Sequence, residues 1–193
     1  MYLLLCIILL VIYIMPTYEK PRVFHNMLSD DECDYIINQS RNKLTKSTVG
    51  KDYAIDPNRV SQTAWLSLKD PIIHNIATKC LKNTDRPLEN CESLQVVYYK
   101  DGGFYNPHQD ATVGEKNKRM YTFIFALNDD YLGGETEFPN INMKYKLKKG
   151  DCLMFDNLDN YNLMTSQALH GGNKVIGEKW IANLWVRVHP FVV

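Results

Sequence analysis

The sequence predicts a mainly β domain with flanking helices, a jelly-roll-like double sheet whose helices pack on one face. Three observations predict it. From about residue 92 onward, short runs rich in β-branched and aromatic residues, LQVVYY (94–99), YTFIFAL (121–127), CLMFD (152–156) and KWIANLWVRV (179–188), alternate with Gly, Asn, Asp and Pro. Two stretches before them carry helical periodicity instead. A chain of 193 residues has room for one core and no second full domain. Helices in front of many short strands fit a two-layer sheet covered on one side.

The elements follow in order. Residues 2–15 (YLLLCIILLVIYIM) form an unbroken apolar run that Pro16 stops. At about 1.5 Å per residue the run covers roughly 21 Å, which lies between a signal peptide and a membrane anchor. No Lys or Arg precedes it and the first Ala is Ala54, so an uncleaved signal-anchor is favoured over a cleaved leader. Residues 1–16 are thus expected to make a single-pass membrane segment ahead of a domain at 17–193. A secretory signal would place that domain in the endoplasmic reticulum or secretory compartment, whereas Lys20 and Arg22 on the downstream side would keep it facing the cytosol.

Ser29 followed by Glu32, ahead of Cys33, Ile36 and Ile37, has the spacing of a capped helix start. A second helix is expected over Pro71–Leu81, where Ile72, Ile73, Ile76, Ala77 and Cys80 recur at helical spacing behind a first-turn proline. The β core then occupies about 92–190.

Charge and cysteine content narrow the class. Twenty-two Lys plus Arg balance twenty-two Asp plus Glu, leaving no basic field to draw the chain to phosphates, so no nucleic-acid partner is expected. With 45% hydrophobic and 23% charged residues, wholesale disorder is excluded. The five cysteines contain no Cys-x-x-Cys pair and settle neither a zinc site nor a compartment. Oligomeric state is left open.

Candidate chemistry centres on three residues. His108 and Asp110 stand two apart at the end of a strand, so their side chains share one face and can share one metal. The pair alone is weak, because so short a motif arises by chance. His170 lies sixty residues on, just before a strong strand. Two imidazoles and a carboxylate form a facial set that leaves iron positions open for oxygen and a chelating co-substrate, whereas zinc on the same ligands would give a hydrolase. Lys179 sits nine residues beyond, beside Trp180 and Ile181; if buried, its ammonium needs an anion, and an exposed strand lysine is the alternative.

With these residues in view, the chain resembles the prolyl 4-hydroxylase family of iron(II)/2-oxoglutarate-dependent dioxygenases. The resemblance runs from about Phe24 to Arg187. It rests on LSDDEC (28–33), Arg59-Val60-Ser61, Tyr99-x-x-Gly102-x-x-Tyr105-x-x-His108-x-Asp110, Arg119-x-x-Thr122 and Leu127-Asn128. It continues through GGETEFP (133–139), Lys149-Gly150-Asp151 and the stretch from His170 to Trp185. It implies a double-stranded β-helix with iron(II) on His108, Asp110 and His170, and Lys179 on the far carboxylate of 2-oxoglutarate. Tyr99 and Thr122 are expected near the co-substrate, and Trp185, Arg59 and Tyr105 near a proline-containing peptide. The implied reaction is 4-hydroxylation of peptidyl proline with oxygen, releasing succinate and carbon dioxide, with ascorbate needed to keep the iron reduced.

Two departures from the family stand out. Ala126 occupies the place where relatives carry a tyrosine whose hydroxyl meets the far carboxylate, a bond worth about 1.5–3 kcal/mol that Tyr121 or Thr122 could replace. The stretch from His170 to Lys179 is one residue shorter. Gly133, Gly134, Thr136 and Pro139 read as a turn. The rival readings are the same chemistry on another protein residue or on nucleic acid, a metal-dependent hydrolase, and a non-catalytic binding module of the same fold.

Overall fold

The computed structural model describes residues 15–48 and 56–192. Strands β1 (Arg22–Phe24), β2 (Thr45–Lys46), β3 (Arg59–Val60) and β4 (Gln62–Leu66) surround two helices, α1 (Asp30–Ser40) and α2 (Pro71–Leu81). The β core follows as β5 (Leu94–Tyr99), β6 (Phe104–His108), β7 (Arg119–Ala126), β8 (Leu132–Gly133), β9 (Thr136–Phe138) and β10 (Met143–Tyr145). It closes with β11 (Cys152–Asp156), β12 (His170–Gly172), β13 (Val175–Ile176) and β14 (Lys179–Arg187).

Both helices begin where their caps dictate. Ser29 accepts from the Glu32 amide while Glu32 reaches back to the Ser29 amide, the reciprocal capping box that the sequence predicts. Asp70 caps α2 by accepting from the amides of Ile72 and Ile73, ahead of Pro71, whose missing N–H leaves no donor unsatisfied. Their buried faces, Cys33, Ile36 and Ile37 on α1 and Ile73, Ile76, Ala77 and Cys80 on α2, pack on the outside of one sheet. The four cysteines among the described residues are buried free thiols.

That sheet has seven strands in the order β1-β11-β7-β14-β5-β4-β2, paired antiparallel throughout, and faces a five-stranded sheet ordered β10-β9-β12-β6-β3. Alternation divides the long strands between two cores. On β14, Trp180, Ala182, Leu184 and Val186 face the helices, while Ile181 joins Val97, Ile124, Ala126, Phe138 and Phe155 between the sheets. The helices therefore cover one face of the large sheet only, as expected. The small strands of the second sheet were not predicted individually. They are three to five residues long for the most part, with polar or glycine positions, and lack the hydrophobic alternation that marks the larger sheet.

One expectation is corrected. Among the described residues no helix is long and apolar enough to cross a membrane, so the single-pass anchor and the membrane location built on it are withdrawn. A spanning helix needs about 20 apolar residues, whereas the helices here have 11 each. The apolar run falls at residues 2–15, of which 2–14 lie outside the described residues.

Candidate metal centre and the adjoining cavity

The second sheet assembles the ligands. β6 ends at His108 and pairs with β12 so that His170 stands directly opposite it. Asp110 follows β6 by two residues, and the ligand atoms of His108, Asp110 and His170 all lie within 4.8 Å of one another. No other group of three His, Cys, Asp or Glu among the described residues comes together in this way.

The three side chains are oriented before any metal arrives. His108 Nδ1 lies 3.0 Å from the Asn106 carbonyl and His170 Nδ1 lies 3.0 Å from the Ala168 carbonyl. A carbonyl only accepts, so each Nδ1 carries a proton, and in the neutral ring it is then Nε2 that holds the lone pair a metal requires. The Nε2 atoms sit 3.6 and 3.8 Å from the Asp110 carboxylate. On Asp110 itself, Oδ2 accepts from Thr122 Oγ1 at 2.7 Å and from Trp185 Nε1 at 2.8 Å, which leaves Oδ1 free. Asn157 Nδ2 in turn donates to Thr122 Oγ1 at 2.8 Å. These residues fit a divalent transition metal with open positions.

Electrostatics favour the same state. His170 is buried among Phe138, Phe155 and His108, and burial lowers it to about 4 against the opposing pull of Asp110, so it is neutral at pH 7. Burial alone would raise the Asp110 carboxyl. The histidines and Arg119 outweigh it, and the group is held well below the usual carboxylate range.

A cavity of about 870 Å³ runs from the metal centre between the sheets. At its inner end stands Lys179, paired in register with Tyr99. Lys179 is 4% exposed; its ammonium donates to the Gly134 carbonyl at 2.7 Å, and no carboxylate among the described residues pairs with it. Burial lowers its pKa to about 8, with Lys146 adding to the effect and Glu135 opposing it. Tyr99 and Tyr131 flank the ammonium at 5.5 and 5.8 Å, and Thr136, Ile124 and Ile181 line the same end.

Towards the mouth, the Tyr105 ring stacks on His108 at 3.6 Å and Arg59 lies 4.7 Å over Tyr105. Arg59 is also bonded to Ser61 Oγ and Thr63 Oγ1. Trp185 lines the cavity with its indole sandwiched beneath Arg119 at 3.5 Å. Arg119 forks onto Glu92 at 2.6 and 2.9 Å, and Arg187 shares the same carboxylate, donating also to Glu115 and the Asn117 carbonyl.

Eight of the nine sequence-predicted site residues line this cavity: His108, Asp110, His170, Lys179, Tyr99, Trp185, Arg59 and Tyr105. Thr122 does not. Its hydroxyl is spent on Asp110, because its place on β7 opposite Trp185 sets it behind the ligand. Nor does Tyr121 reach the Lys179 end, since its hydroxyl donates to Asp85. Thr136, read from sequence as a turn residue, lines the cavity. Gln95 and Asn183 were missed, although stepping by two from Lys179 through Ile181 to Asn183 and Trp185 traces the inward face of β14.

Comparison with known proteins adds to this geometry. Residues 94–187 match the family described as the 2OG-Fe(II) oxygenase superfamily. The chain is 36% identical to a putative prolyl 4-hydroxylase of Acanthamoeba polyphaga mimivirus, over 90% of this chain and 76% of that one. It is 34% identical to probable prolyl 4-hydroxylase 6 of Arabidopsis thaliana, over 89% and 70% respectively. The viral collagen prolyl hydroxylase from Paramecium Bursaria Chlorella virus-1, solved as its 2OG complex, superposes with a TM-score of 0.69 at 29% identity, covering 89% of this chain and 97% of that one.

Proposed function

The chain belongs to the prolyl 4-hydroxylase family of 2OG-Fe(II) oxygenases, and from that membership we propose that it hydroxylates peptidyl proline at C4 in this cavity. The observation that carries the reading is the pairing, in one cavity, of a pre-oriented His-Asp-His set with a buried lysine that has no carboxylate partner. A buried ammonium is costly unless an anion meets it, and a dicarboxylate chelating the metal at its other end meets it here.

His108, Asp110 and His170 would hold iron(II), which with 2-oxoglutarate and oxygen supplies the hydroxylating chemistry. Each turnover consumes one oxygen and one 2-oxoglutarate and yields hydroxylated peptide, succinate and carbon dioxide. Ascorbate, typical of the family, keeps the iron in its reduced state.

The chain's own share is placement. Lys179 spends one N–H on Gly134 and has two left for the far carboxylate. Ile124 and Ile181 offer an apolar wall to the methylene carbons between the carboxylates, and Tyr99 and Thr136 border the same space. Thr122 and Trp185 both donate to Asp110 Oδ2 and so fix the carboxylate, leaving Oδ1 as the oxygen that would serve iron(II). The rim of Tyr105, Arg59, Trp65 and Trp185 receives the peptide; aromatic faces suit a proline ring. Water is excluded by the aromatic packing around His170.

The test is mass spectrometry of proline peptides incubated with the protein, iron(II), 2-oxoglutarate and ascorbate. A +16 shift on proline is expected, lost in His108→Ala. A shift on another residue type would overturn the prolyl reading, and unchanged turnover in His108→Ala would overturn the metal assignment.

A further inference from the structure

We propose that Gln95 and Asn183 form an amide clamp that grips one peptide group of the substrate main chain, so that the chain demands a residue with a free N–H at that position. The inference rests on the peptide reading above. Register places Trp65, Gln95, Asn183 and Ile124 side by side across β4, β5, β14 and β7, a row spanning the floor of the cavity. The row lies between the one that carries Lys179 and the one in which Trp185 holds Asp110. Asn183 is two residues from Trp185 along β14, or roughly 7 Å.

Within that row Asn183 Nδ2 donates to Gln95 Oε1 at 3.1 Å. Asn183 Oδ1 is buried without a partner, although it belongs to a cavity-lining side chain. Gln95 is 6% exposed, and its Nε2 makes no hydrogen bond among the described residues. The pair thus presents one unmet acceptor and one wholly unspent amide nitrogen, Gln95 Nε2. Reversing both side-chain amides exchanges the roles and leaves one of each again, so the pattern does not depend on which atom is nitrogen.

One donor beside one acceptor complements the N–H and C=O of a secondary amide. A buried acceptor left unmet is costly, and a bound N–H removes that cost. A carbonyl is present at every residue of any peptide, but an N–H is absent wherever the residue is proline. The clamp therefore admits the target proline in a chain that carries a non-proline residue at the gripped position, and disfavours an uninterrupted proline run.

The experiment is anaerobic calorimetric titration of the iron- and 2-oxoglutarate-loaded protein with a proline peptide. In companion peptides each backbone amide is changed in turn to an ester, which deletes the N–H without adding bulk. One ester position is expected to weaken Kd by about tenfold in the unsubstituted protein. In Asn183→Ala that position and the parent peptide should bind alike, both weakly. Gln95→Met, matched in size, is the second variant if Asn183→Ala does not fold. Equal tolerance of every ester, or the same ester loss retained in both variants, would overturn the clamp and leave ordered water as the pair's only partner. Hydroxylation of the parent peptide in air is read separately. A +16 product with no position-specific ester loss sinks the clamp alone, whereas absence of product sinks the prolyl reading.

Discussion

At the scale of single residues, Asp110 and Lys179 are held by opposite means. Asp110 is tied down by two donors, Thr122 and Trp185, and Lys179 is left short of an anion. Thr122→Val removes one donor from Asp110, a ligand in the proposed iron site. Outer-shell losses of this kind cost about 10–100-fold in metal affinity, so iron(II) binding measured by titration should weaken by that factor. Unaltered affinity would show that Trp185 alone suffices.

For Lys179 the sign is worked from its lowered pKa. Folded, it titrates near 8 against 10.5 when free. Between those values the unfolded chain binds the extra proton, so stability rises with pH across that window and the full burial cost is present below 8. Lys179→Met should therefore stabilise the co-substrate-free protein at pH 7 by roughly 3 kcal/mol at most, seen as a higher melting temperature. It should also abolish 2-oxoglutarate binding. In the unsubstituted protein, co-substrate affinity should fall as pH passes 8 and the empty site loses its charge. Calorimetry across pH 7 to 9.5 checks this.

The residue spacings singled out His108, Asp110, His170 and Lys179, which the fold brings into one cavity, because a His-x-Asp pair at a strand end and a lysine beside a tryptophan are local patterns. Thr122 was assigned to the wrong neighbour because its partner is decided by register against β14, which no local pattern encodes.

At the scale of elements, the turn from Leu132 to Thr136 controls the lysine. Gly134 has φ +65°, and a Cβ there would lie 2.9 Å from the Tyr131 ring and 3.2 Å from Lys179 Cδ. Gly134→Ala should cost about 1–3 kcal/mol in strain and displace Lys179, raising the KM for 2-oxoglutarate more than that for peptide. Equal changes in both would indicate general loosening instead.

On the opposite face of the large sheet, Phe123 is fully buried against the helices. Phe123→Ala should lower stability by about 3–5 kcal/mol in denaturant titration, without touching the site directly. Helix starts at Ser29 and Pro71 were legible because caps are local chemistry. The second sheet was not, since β9, β10 and β12 draw their order from cross-strand pairing to neighbours far away in sequence.

At the scale of the molecule, helices cover one face of the large sheet and leave its other face to the cavity, which lies between the two sheets with His108, Asp110 and His170 in its lining. The fold class followed from helices ahead of short strands, and the outcome agrees. The apolar run suggested a membrane segment because hydropathy reports only local composition, and the described helices offer no span to support it. The two halves of the candidate site come from different sheets, the His-Asp-His group from β6 and β12 with Asp110 just beyond β6, and the lysine and amide floor mainly from β5 and β14. Co-substrate and peptide therefore meet in the space that sheet packing creates.

The most direct measurement of the central claim is the ratio of succinate formed to hydroxyproline formed on a proline peptide, with the protein iron-stripped and then reloaded. Near one-to-one product on reloading, none when stripped, and none in His170→Ala is the predicted result. Hydroxyproline made without iron, or by His170→Ala at the unsubstituted rate, would contradict it.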